Sequence, residues 1–152
     1  MATPARHREW LSQQDDGAVA YVVAWLGERP VGQGLIHWPG PRNRDLAAAL
    51  GECPEIYSLG VLEGFRSRGI GSRIVRALEE LASTRGCSRA GLAVALANPE
   101  ARSLYESLGY RRTDTGTFID RWRQIDAAGQ VHVEEDECEF LVKSLRPERH
   151  RR

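Results

Sequence analysis

The chain lacks several things that would narrow its role at once. It has no apolar run near the roughly 20 residues that cross a bilayer; the longest is Val19–Leu26, interrupted by Tyr21 and Trp25. A membrane protein is not expected. It has no excess charge, since 21 Lys and Arg balance 21 Asp and Glu. No whole-molecule field therefore gathers nucleic acid or anionic lipid. Its three cysteines, Cys53, Cys87 and Cys138, are odd in number, with no Cys-x-x-Cys pair and no Cys/His cluster. That argues against a disulfide framework and a metal site, and inert thiols are the expectation. Charge near the N-terminus is followed by no apolar segment, so a secretory signal is not read there and the cytoplasm is the expected compartment. No internal repeat is visible.

What is present is ordinary globular material: 152 residues, 41% hydrophobic and 28% charged, enough for one core. We read one domain over 1–145 and a basic tail over 146–152, a frayed, solvated end. Strands are expected over 18–26 and 31–38, joined by the turn Gly27-Glu28-Arg29-Pro30 into an antiparallel hairpin, and again over 56–62 and 91–96. A helix is expected over 7–14 and a helical turn over 45–50. From Ile70 the apolar spacing changes to 3.6, with Ile70, Ile74, Leu78, Leu81 and Ala82 on one stripe that ends at Gly86. Asn98 followed by Pro99 opens a second helix over 99–108. A strand over 110–115 follows, and 118–145 reads as mixed strands and loops with a last strand at 140–144. The strand, helix, strand, helix, strand order predicts an α/β (α+β) fold.

One stretch carries chemistry. Leu59-Gly60-Val61 ends a strand, and Gly64 to Ser72 (Gly-Phe-Arg-Ser-Arg-Gly-Ile-Gly-Ser) is a loop running into a helix. The first amides of a helix have no intrahelical acceptor and the dipole there is positive, so an anion is favoured. Gly69 and Gly71 permit close approach, and Arg66 and Arg68 add charge, which points to a phosphate or pyrophosphate. The third glycine of a dinucleotide site and the Gly-Lys-Ser/Thr of a P-loop are both missing. An arginine-rich loop that only caps a helix stays open at this point.

Arg66-x-x-Gly69-x-Gly71 resembles the Gln/Arg-x-x-Gly-x-Gly/Ala motif of the GNAT superfamily of acyl-CoA N-acyltransferases. Asn98-x-x-Ala101-x-x-Leu104-Tyr105-x-x-x-Gly109-Tyr110 resembles that family's Asn-x-x-Ala-x-x-Leu-Tyr-x-x-x-Gly-Phe/Tyr segment. The resemblance implies a mixed, mostly antiparallel sheet with splayed central strands and helices on both faces. The family's first strand and first helix are expected to be missing, because few residues precede the hairpin. It further implies an acetyl-CoA-dependent N-acetyltransferase acting on a small-molecule or peptide amine. Leu59 and Val61 would give backbone contacts to pantetheine and thioester, and Gly60 would permit a bulge between them. Arg66, Ser67, Arg68, Gly69, Ile70, Gly71 and Ser72 would hold the pyrophosphate. Asn98 would touch the cofactor near its pantetheine.

Tyr105 is the expected acid for the departing thiolate. Glu55, eleven residues before Arg66, is the expected base, on a face shared with Tyr57 and Leu59, where burial would raise its pKa. A water relay, His37 or His132 are alternatives to it. Trp38 is expected in the core or at the acceptor wall. With so short an N-terminal part, the acceptor site would be open or completed by a second copy in a homodimer. The acidic run 134–139 is a solvated face or, lining the acceptor cleft, a selector of cationic amines. The competing readings are a non-catalytic acyl-CoA-binding module and a nucleotide- or phosphate-binding α/β protein.

Overall fold

The computed structural model describes residues 4–145; the basic tail expected over 146–152 lies outside the described residues. The elements run α1 (Pro4–Asp15), β1 (Val19–Leu26), β2 (Arg29–His37), α2 (Arg44–Leu50), β3 (Glu55–Val61), α3 (Ile70–Thr84), β4 (Arg89–Ala95), α4 (Pro99–Ser107), β5 (Arg111–Ile125) and β6 (Val131–Ser144). The strands form one sheet in the order β1-β2-β3-β4-β6-β5. Only β3 and β4 are parallel; the other neighbours are antiparallel. This is the expected mixed sheet, and it carries helices on both faces.

On one face α3 buries Ile74, Val75, Leu78 and Ala82 against Ile36, Ile56, Leu92, Val94 and Leu141. The stripe has turned slightly from the sequence reading: Val75 is inside and Leu81 is exposed. On the other face α1 lays Trp10 on Val19 and Leu35, with its ring 5.5 Å from that of Tyr21. A helix does therefore precede the hairpin, longer than the 7–14 expected. Among the described residues no helix is long and apolar enough to cross a membrane.

The largest departure is the segment 118–145. In place of mixed strands and loops, β5 and β6 form one long hairpin, paired from Arg111↔Val142 to Ile125↔Val131. Its outer half is exposed along β6 and half-buried on β5 only at Phe118, Asp120 and Trp122, a mixed set of side chains that leaves no apolar/polar alternation in the sequence. Ladder bonds and cross-strand pairs such as Arg121–Glu135 at 2.8 Å hold it instead.

Where β4 crosses β6, Gly91 leaves room for the Phe140 ring. A Cβ built there falls 2.2 Å from Phe140 Cε1 and 3.1 Å from the Leu141 carbonyl oxygen. Both neighbours are buried and cannot retreat. Gly91→Ala is expected to cost about 2 kcal/mol through overpacking, read as a lower urea midpoint at unchanged slope.

Candidate active site

The sheet opens at its middle. β3 meets β4 at only two positions, Glu55↔Gly91 and Ile56↔Leu92. Beyond them β3 stays with β2 as far as Gly32↔Val61, and β4 stays with β6 as far as Ala95↔Cys138. The facing backbones separate, as the motif resemblance implied.

A bulge lies at the opening, but not at Gly60. Gln33 pairs with Gly60 and Leu35 with Tyr57, so two β3 residues, Ser58 and Leu59, stand against Gly34 alone. Ser58 takes the left-handed conformation, φ +51°, which costs a non-glycine residue about 1 kcal/mol. The extra residue also breaks alternation. Tyr57 packs on the α1 face while Leu59 and Val61 pack under α3, so Leu59 does not share the face of Glu55 and Tyr57 that strand alternation predicts.

The loop after β3 delivers the chain to α3 through Gly69, the helix cap, at φ +79°. An L side chain is strained there, which is why a glycine is needed. No side chain caps this end of α3, so its first amides stay available to a ligand. Arg66 donates from Nε to the Val61 carbonyl at 3.1 Å, tying the loop to the strand. Between loop, strand and α4 lies a cleft of about 520 Å³. Leu59, Gly60 and Val61 form its strand side, Arg66, Ser67, Gly69, Ile70, Gly71 and Ser72 its loop side, and Asn98 and Tyr105 its α4 side. Arg68 alone of the expected cofactor residues is not in the wall; its guanidinium lies 5.3 Å from the Phe65 ring centre. Asn98 caps α4 by accepting from the Ala101 amide at 3.1 Å, which leaves its amide nitrogen for a ligand. The Tyr105 hydroxyl bonds to none of the described residues, and burial pushes its pKa above the ordinary tyrosine value.

On the α1 face two adjoining cavities, of about 500 and 480 Å³, run between α1 and the β5–β6 hairpin and share Ser58. The second also shares Leu59, Gly60, Val61 and Arg66 with the cofactor-side cleft. The two sides of the sheet thus meet at the bulge. Glu55 is buried here, but its carboxylate is occupied. Oε1 accepts from the Arg42 amide at 3.0 Å and from Arg42 Nε at 2.9 Å, and Oε2 lies 3.5 Å from Nη2. The same guanidinium sits 4.0 Å over the Tyr57 ring. His37 bonds the Gly40 carbonyl through Nδ1 at 2.7 Å, and His132 bonds Asp126 at 2.7 Å in the exposed hairpin end. Trp38 packs against the α3 core under Arg85, 4.4 Å from its ring centre.

Sequence reasoning missed Asp120 and Arg42. Asp120 pairs directly with Asp136 across the hairpin, and both line the larger cavity with Trp10, Tyr57 and Trp122. Burial raises the Asp120 pKa; Arg42 opposes the rise, and Glu55 and Asp136 add to it. Only the hairpin register brings these carboxylates together, and no local pattern reports it. Of the acidic run 134–139, Asp136 and Cys138 reach this cavity.

The splayed sheet thus leaves a cleft with a helix end that no side chain caps and a glycine loop beside its opening. The Acetyltransferase (GNAT) family model matches residues 2–110, and the chain belongs to that family. It is similar to the thialysine N-epsilon-acetyltransferase of Sus scrofa, 45% identical over 67 residues that cover 44% of this chain and 38% of that one. The matched part spans 38% of the length of the curated relatives. Solved structures share the fold. A GNAT family acetyltransferase from Elizabethkingia anophelis with acetyl-CoA bound aligns at TM-score 0.60 and 17% identity over 90% of this chain and 82% of that one. A ribosomal-protein-alanine N-acetyltransferase from Brucella melitensis aligns at 0.65 and 22% over 92% and 76%.

Proposed function

We propose that the protein, through one domain over 1–145, transfers the acetyl group of acetyl-CoA directly to a primary amine that carries positive charge in solution. The supporting observation is the cleft itself. The β3 edge parts from β4 beside free α3 amides, so one ligand can lay its pantetheine along Leu59 to Val61 and its pyrophosphate on residues 66 to 72. The cytoplasm is the proposed compartment, in keeping with three free thiols.

The neutral amine nitrogen attacks the thioester carbonyl carbon from the α1 face. A C–N bond forms, the C–S bond breaks, and the CoA thiolate takes the Tyr105 proton. The proton lost by the amine returns to Tyr105 through water. The ammonium form gives its own proton to solvent before the attack, and an α-amino group, of ordinary pKa about 8, gives it up more readily than a lysine at about 10.4. Both Glu55 oxygens face Arg42, so Glu55 serves in this proposal to hold Arg42 over Tyr57 rather than to take the proton itself. Asp120 and Asp136 draw the cationic form of the amine into the cavity.

A thiol-release assay over an amine panel tests this, and turnover is expected with diamines and N-terminal amines well above that with acidic amino acids. Acetyl-CoA at a hundred times its dissociation constant is expected to stabilise the fold by about 2.7 kcal/mol. Stabilisation without turnover on any amine favours an acyl-CoA-binding module. Stabilisation by ATP or NAD but not by CoA favours a nucleotide site.

A further inference from the structure

Gln33 is buried in the middle of β2 with 5% of its surface exposed. Its Nε2 donates to the Ser58 carbonyl at 3.2 Å. Its Oε1 is buried without a partner among the described residues. A buried amide with one end unmatched is a poor choice for stability, and an aliphatic side chain of similar size would avoid the loss. The geometry points to another reason for it: Gln33 is a positioning residue for acetyl transfer, holding the bulged peptide of β3 in the orientation that presents the Leu59 amide to the thioester carbonyl.

Ser58 is the bulged residue and is held at φ +51°, a conformation that persists only where its surroundings enforce it. Gln33 supplies that constraint from the neighbouring strand, opposite Gly60. The fit depends on the missing side chain at Gly60, because a Cβ there falls 2.8 Å from Gln33 Nε2. In a planar trans peptide the carbonyl and N–H point opposite ways. A Ser58 carbonyl turned toward Gln33 therefore turns the Leu59 N–H away from it. That leaves an amide donor, fixed before the reaction begins, at the strand opening where both sides of the sheet meet, and such a donor is most effective where negative charge develops on the carbonyl oxygen. Without the Gln33 bond, the Ser58–Leu59 peptide is free to rotate toward an ordinary extended conformation, and the donor is misaligned while the rest of the cleft stays in place.

This rests on the acetyltransferase reading, and two measurements separate the fates of the two ideas. In Gln33→Leu, turnover is expected to fall about tenfold, with the acetyl-CoA KM within about twofold and the melting temperature equal or higher. With bound acetyl-CoA labelled with carbon-13 at its carbonyl, the resonance is expected to move upfield in Gln33→Leu, toward the free value, as polarisation is lost. Turnover within about twofold of the parent, or a drop that only follows a loss of folded protein, overturns the role of Gln33. So does an identical carbonyl resonance in the two proteins. If the parent protein does not bind acetyl-CoA at all, the acetyltransferase reading fails and this role with it.

Discussion

Tyr105→Phe is expected to lower turnover about 100-fold, the lower end of what a positioned acid contributes, with the acetyl-CoA dissociation constant unchanged. The substitution isolates the hydroxyl because the ring has work of its own. It packs against the α3-face core and meets the Tyr110 ring edge-on at 6.5 Å, contacts that phenylalanine keeps. The hydroxyl itself bonds nothing among the described residues, so little stability goes with it. Burial holds the Tyr105 pKa above the ordinary value of 10.0, so the phenol is neutral and able to donate throughout the range in which the amine loses its proton. Turnover should therefore rise with pH as the amine deprotonates, with no falling limb from Tyr105 below about pH 10. A folded-state pKa above the unfolded one adds stability that is complete below pH 10 and declines as pH rises past it. Steady-state rates and calorimetric binding check this together; a Phe variant with parent turnover removes Tyr105 from the chemistry.

Arg42→Ala is expected to cost about 3 kcal/mol, more than Glu55→Ala at about 2 kcal/mol, although the two residues form one pair. The asymmetry comes from burial. The Glu55 side chain is 5% exposed and that of Arg42 is 35% exposed. Arg42→Ala leaves the buried carboxylate with the backbone amide of position 42 as its remaining partner, whereas removing Glu55 leaves a guanidinium that water can partly solvate. Arg42→Ala also loses the stack on Tyr57 and the charge that opposes the rise in the Asp120 pKa, so the KM for a cationic amine should move too. Urea unfolding of both singles and the double variant gives the coupling. Equal costs for the two singles would mean the pair is solvated in solution.

How much of this could be read from the chain alone follows the distance over which the information is stored. The loop Arg66 to Ser72 and the α4 start at Asn98 are local features. Cap, glycine and apolar period lie within a few residues of one another, and they come together in one cleft. The glycine at position 60 predicts a bulge there, because a bulge often uses the freedom of glycine. The structure puts Ser58 in the left-handed conformation and uses the bare Cα of Gly60 to seat Gln33. The α1 face of the site was nearly illegible. Arg42 comes from a loop, Glu55 and Tyr57 from β3, and Asp120 from a hairpin strand whose half-buried residues, Phe118, Asp120 and Trp122, form no apolar stripe. Their meeting depends on strand register, which no short window of sequence contains.

Two rungs join β3 to β4, so the sheet is mechanically a pair of leaves, β1-β2-β3 and β4-β6-β5, stitched along one short seam and backed by α3. An acyl carrier threaded into the gap would act as a brace across both leaves. Amide exchange in Tyr57 to Val61 and in Ala93 to Ala95 should then slow together when it enters, although neither run of amides gains a new protein neighbour.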